Sequence, residues 1–118
     1  MALTARMVTI DCTDPVGLAK FWSEAAGYQI KWRHEDEFLI LAPTDGGATN
    51  IGLQRVAGQR SGKNRVHIDW EADDRAAEVT RLVALGATLV AEHGTPGFAW
   101  SVLADPEGNE FCVSDAHG

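Results

Sequence analysis

Leu103-Ala104-Asp105-Pro106-Glu107-Gly108, with Asn109-Glu110-Phe111-Cys112-Val113-Ser114 behind it, is the stretch that decides the fold. An apolar run ends in a turn made of Asp, Pro and Gly, and an alternating run follows at once. Pro presets φ, Gly tolerates unusual φ, and Asp bonds to its own backbone, so such residues punctuate chains. The stretch therefore reads as strand, tight turn, strand. Leu41-Ala42-Pro43-Thr44-Asp45-Gly46 repeats that layout in the first half of the chain.

The match extends outward from the two turns. Residues 7–12 are β-branched and half alternating, which suits a strand. Asp14 is a good N-cap and Pro15 fits a first helical turn. Leu18, Phe21, Trp22 and Ala25 recur at helical spacing, which predicts a helix over 15–26 that Gly27 stops. Strands are expected over 28–33, 38–42 and 50–56. The order then restarts with a strand over 65–71. Asp73 and Asp74 offer an N-cap to a helix over 74–85 whose apolar stripe is Ala76, Val79, Leu82 and Val83, and Gly86 ends it. Strands over 88–92, 98–104 and 109–114 complete the second half. Each half is β-α-β-β-β, and the repeated order, helix stops and turns mark an internal duplication. The expected fold class is α+β: two βαβββ modules, 1–56 and 65–118, in one domain spanning 1–118. The segment 57–64 reads as a solvated linker; its Arg60 and Lys63 leave a phosphate-gripping loop as the alternative.

A chain of 118 residues, 45% of them hydrophobic, buries a real core without disulfides or structural metal. Ten basic residues against 17 acidic ones give a net charge of −7. That argues against a nucleic-acid or anionic-membrane partner and tolerates a cationic ligand. Cys12 and Cys112 make no Cys-x-x-Cys spacing, so no disulfide framework is indicated and a reducing compartment is the default. No signal-peptide pattern or membrane-length apolar run occurs, so a cytoplasmic location is expected. Nucleophile elbow, phosphate loop and dinucleotide fingerprint are all missing.

Three motifs carry a resemblance. Asp11-Cys12-Thr13-Asp14-Pro15, ahead of Phe21-Trp22 and Gly27-Tyr28, is similar to the first βα unit of glyoxalase-like domains. Val66-His67-Ile68-Asp69 resembles the start of their second half, and Asp105-Pro106-Glu107-Gly108-Asn109 their closing D-P-x-G-N hairpin. The chain thus resembles the glyoxalase/bleomycin-resistance/dioxygenase (vicinal oxygen chelate) superfamily over nearly its whole length. The resemblance implies curved sheets forming a cleft for a divalent metal, a substrate or a sequestered drug. It also implies a homodimer.

In that superfamily, metal-dependent members place His, Gln or Glu on four strands. The corresponding positions here are Met7, a residue near Gln54, His67 and Cys112. A thioether is a poor ligand for a hard divalent ion, and only His67 matches well. No cofactor is therefore expected. A divalent metal held by His67, Cys112 and Gln54 is the weaker alternative.

Period-two alternation sorts the strands. Val8, Ile10 and Cys12 are expected under the first helix, leaving Met7, Thr9 and Asp11 toward the cleft. Val66, Ile68 and Trp70 are expected under the second helix, leaving His67, Asp69 and Glu71 toward the cleft. Phe111 and Val113 read as core; Glu110, Cys112 and Ser114 face the cleft. His67 suits a general base or a ligand hydrogen bond; a structural histidine bonded to Asp69 or a neighbouring strand is equally consistent. The acidic residues Asp11, Asp69, Glu71 and Glu110 form an acidic cleft, or some of them pair with Arg55 and Arg65. Trp22 and Trp70 fit the core. Trp32 and Trp100 sit on strands whose register is open, and either suits an aromatic wall for a planar or cationic ligand. His34, His93 and His117 fall in turn-like or terminal segments and receive no role.

The candidate ligand-binding residues are thus His67, Asp69, Asp11, Gln54, Trp32, Trp100 and Cys112. The expected function is metal-free binding of a small aromatic or cationic molecule. The alternatives are a lyase- or isomerase-type enzyme using a partial metal site or His67 as acid–base, and a partner-binding subunit with a vestigial cleft.

Overall fold

The computed structural model describes residues 5–58, 62 and 64–115. Arg60 and Lys63 of the expected linker, and His117, lie outside the described residues. The chain divides into two compact units.

The first unit contains β1 (Met7–Cys12), α1 (Pro15–Ala26), β2 (Tyr28–His34), β3 (Phe38–Pro43) and β4 (Asn50–Arg55). The Asp14 carboxylate accepts the Gly17 N–H at 3.1 Å, and Pro15 occupies the first turn, where its missing N–H costs nothing. Gly27 ends the helix at φ 69°, a left-handed corner that glycine takes without a Cβ clash. The sheet order is β1-β4-β3-β2, with β1 parallel to β4 and the other pairs antiparallel. Leu18, Ala19, Phe21 and Trp22 of α1 are buried, as are Leu39, Leu41, Ile51 and Leu53 on the sheet face that α1 covers.

The second unit repeats this plan with β5 (Asp69–Ala72), α2 (Arg75–Leu85), β6 (Thr88–Thr95), β7 (Phe98–Ala104) and β8 (Glu110–Asp115). Asp74 caps α2 by accepting the Ala77 N–H at 3.1 Å. The order is β5-β8-β7-β6, again with one parallel pair, β5 with β8. Even the irregularities correspond: the register slips between Ile30 and Trp32 in β2, and between Leu89 and Ala91 in β6. The architecture is α+β, two four-stranded mixed sheets each backed by one helix, and neither sheet closes on itself. Among the described residues no helix is long and apolar enough to cross a membrane.

Two sequence expectations need correction. The strand expected over 65–71 begins only at Asp69, and Val66 is 75% exposed rather than packed under α2. The partner strand explains both. Asp69 pairs with Cys112, so running the parallel register backward sets Val66 opposite Asn109, inside the turn that precedes β8. The Asn64 side-chain amide donates to the Glu110 carbonyl at 3.1 Å instead, and residues 65–67 run free of the ladder. The strand expected over 88–92 instead reaches Thr95, because Thr95 pairs with Phe98 around Pro96-Gly97.

Candidate functional site

Each sheet has one face under its helix and one face without. In the second unit the uncovered face is assembled in register. Asp69, Cys112, Val102 and Ala91 form one row across β5, β8, β7 and β6; Glu71, Ser114, Trp100 and His93 form the next. Strand alternation sends the intervening Phe111, Val113, Ser101 and Leu103 to the α2 side, where all four are buried.

The α2 side contains its own polar network. Ser101, fully buried, donates to Glu92 at 3.3 Å and accepts from Arg75 at 2.7 Å. Arg75 also lies 3.5 Å from Glu92 and 3.4 Å from Asp115. These groups pair among themselves and tie α2 to β6, β7 and β8.

The uncovered face holds a recess of about 480 Å³ lined by His67, Asp69, Trp70, Glu71, Phe98, Trp100, Cys112 and Ser114. A second hollow of about 430 Å³ shares His67, Trp100 and Cys112 and adds His93 and Glu110. His67 Nε2 lies 3.2 Å from Asp69 Oδ1. A His67 nitrogen, an Asp69 oxygen and Cys112 Sγ all lie within 4.8 Å of one another. The Trp100 ring is held on two sides: its centroid is 5.4 Å from His93, stacked at 30°, and 5.7 Å from Phe98. An imidazole, two carboxylates and a thiol thus face an indole across a space of small-molecule size.

His67, Asp69, Cys112 and Trp100, all expected from the sequence, come together here. Asp11, Gln54 and Trp32 belong to the first unit. There Asp11 and Gln54 are register partners, and Phe38 and His34 continue the row. Trp32 is 50% exposed, with its ring 6.2 Å from both His34 and Phe38. Of the arginines offered as partners for the acidic residues, Arg55 lies 4.0 Å from Glu37, while Asp69 pairs with His67.

The sequence reading missed His93 and Phe98. His93 looked terminal because β6 was expected to stop at Glu92. The signal that finds both is Thr95-Pro96-Gly97-Phe98, a two-residue hairpin that extends β6 and carries His93 onto the face of Trp100.

The superfamily's metal positions do not fit a hard divalent ion here. The Met7 sulfur folds over its own sheet, 3.1 Å from where a Cβ on Gly52 would stand, and offers only a thioether. In the His67, Asp69 and Cys112 group, the imidazole is already directed at a carboxylate, its side chain is 44% and that of Asp69 73% exposed, and Cys112 is intermediate.

A family model described as "Glyoxalase-like domain" matches residues 7–114. No curated protein matches the chain. Among solved structures, the chain is similar to a glyoxalase/bleomycin resistance protein/dioxygenase family enzyme from Burkholderia phytofirmans PsJN, at 25% identity and TM-score 0.77, covering 95% of this chain and 98% of that one. It is similar in fold to a member of the same superfamily from Sphaerobacter thermophilus DSM 20745, at 19% identity and TM-score 0.77, covering 98% and 99%. A lactoylglutathione lyase from Agrobacterium tumefaciens shares the fold at 17% identity and TM-score 0.71, covering 98% and 95%.

Proposed function

Since this chain belongs to the glyoxalase-like domain family, we propose that the uncovered face of its second sheet binds a small aromatic or cationic organic molecule without a resident metal. One observation carries this reading: the recess of about 480 Å³ in which the braced Trp100 ring faces His67, Asp69 and Glu71. An indole face stacks on planar groups and attracts cations, and it does so most strongly when neighbours hold it still. The two carboxylates favour a positive ligand and repel an anionic one, in keeping with the net charge of −7. His67 supplies the directional hydrogen bond.

Fluorescence titration against a panel of aromatic and cationic metabolites and antibiotics tests the proposal. Trp100→Phe identifies which of the four tryptophans reports binding. His67→Ala is expected to weaken an uncharged ligand about two- to tenfold, the loss of one hydrogen bond. Hits that bind parent and both variants equally would place the ligand elsewhere.

A second reading follows from the His67–Asp69 contact of 3.2 Å. A carboxylate that orients an imidazole also suits proton transfer, so a lyase- or isomerase-type reaction with His67 as acid–base is the competing function. Turnover lost in His67→Ala while binding persists would favour it. We further propose a cytoplasmic homodimer. Two-fold dimers are the commonest assembly, and two cysteines that form no disulfide among the described residues suit a reducing compartment. A monomer by light scattering at high micromolar concentration would refute the dimer.

A further inference from the structure

We propose that Cys112 is a nucleophilic thiol that covalently captures planar, soft electrophiles in the recess, with His67 as its base and Asp69 as the positioning residue. The proposal uses the same recess as the binding reading but needs no reversible ligand.

Cys112 sits on β8, an interior strand, paired on one side with Asp69 and on the other with Val102. Alternation turns its sulfur to the uncovered face, and it lines both hollows. Cys12 provides a contrast within the same chain. It is 3% exposed, and its sulfur donates to the Gln54 carbonyl at 3.6 Å. A buried thiol fills space, whereas a partly exposed thiol beside a proton acceptor reacts.

The proton acceptor is at hand. His67, Asp69 and Cys112 bring nitrogen, oxygen and sulfur within 4.8 Å of one another. Nε2 faces the Asp69 carboxylate at 3.2 Å, so in this proposal Nε2 keeps the proton and Nδ1 is the base that serves the thiol. The imidazole is 44% exposed, so a small rotation or one bridging water closes the remaining gap. The other titratable groups lining this space are Glu71 from β5, Glu110 from β8 and His93 from β6. The carboxylates oppose a standing thiolate. The thiol proton therefore leaves as the sulfur bond forms, which is general-base catalysis rather than a resting ion pair.

The reaction this supports is conjugate addition. The sulfur lone pair bonds to the β carbon of an α,β-unsaturated carbonyl, and the C=C electron pair moves toward the carbonyl as an enolate. The thiol proton passes to His67 and from there to the α carbon. No group leaves and no oxidant is needed; the product is a thioether heavier by one electrophile. A planar acceptor lies flat against Trp100, and the surrounding carboxylates select neutral or cationic acceptors over anionic ones.

The test is alkylation of the full chain by N-ethylmaleimide at pH 7.4, followed by intact mass and peptide mapping. Cys112 should be modified well before Cys12, and faster than Cys112 of the same chain unfolded in guanidinium. His67→Ala should slow it about tenfold or more, and added imidazole should restore part of the rate, which a structural loss would not allow. Asp69→Asn should slow it and Asp69→Glu should rescue it. Equal rates in parent and His67→Ala, or a native rate no faster than the unfolded one, overturn the proposal. So does stoichiometric zinc that protects Cys112 and no longer does so in Asp69→Asn, which would make the group a metal centre. A panel ligand that quenches Trp100 while Cys112 stays inert overturns this proposal and leaves the binding reading standing.

Discussion

Phe38 stands over Gly52: its Cζ is 3.2 Å from the point where a side chain on Gly52 would begin. Thr9 Oγ1 and Met7 Sδ close the same point at 2.9 and 3.1 Å. Gly52 lies on β4, an interior strand between β1 and β3, and its missing side chain lets its neighbours meet across the first sheet. Gly52→Val is expected to lower the unfolding free energy by about 1–3 kcal/mol through overpacking. A urea midpoint that falls at constant slope is the readout; an unmoved midpoint would mean these side chains give way freely.

The tryptophans separate by role. Trp22 is 2% exposed and packs edge-on against Phe21 at 5.0 Å, whereas Trp32 is 50% exposed at a sheet edge. Trp22→Ala should cost about 3–5 kcal/mol, the usual range for emptying a core site. Trp32→Ala should cost about 0.5 kcal/mol or less, as for other surface changes. Thermal melts of the two variants decide the matter, and comparable losses would contradict the assignment.

Tyr28 offers a clean titration because it is the one tyrosine in the chain. Burial raises its phenol above the ordinary 10.0, and the nearby Asp45 charge raises it further. The phenol donates to the Thr49 carbonyl at 2.9 Å, a bond the ionised form cannot make. A folded-state value above the unfolded one means the native chain holds the proton more tightly. The stabilisation is complete below the unfolded value and is lost as pH climbs through the folded one. Ultraviolet absorbance should show a midpoint above 10.0, and Asp45→Asn should bring it partway down. A midpoint at the free-tyrosine value would discount both causes.

Local chemistry determined the helices and the duplication. Asp14 with Pro15 and Gly27 bound α1 at 15–26, and Asp74 with Gly86 bound α2, because caps and stops act within a few residues. The alternation of Phe111-Cys112-Val113 likewise placed Cys112 opposite the core, since side chains change face at every residue of a strand. Only the tertiary structure decided where strands end and which rows they share. Val66 left the core because the register from Asp69 to Cys112 gives it a turn, not a strand, as neighbour. His93 reached Trp100 because the hairpin at Pro96-Gly97 carries β6 three residues beyond Glu92. His67 and Asp69 share a segment, but Cys112 and Trp100 join them only through the β5-β8-β7 pairing. A helix closes its hydrogen bonds within its own segment, so nearby residues announce it. A strand closes them on a partner far along the chain, so its limits and its site are properties of the pair.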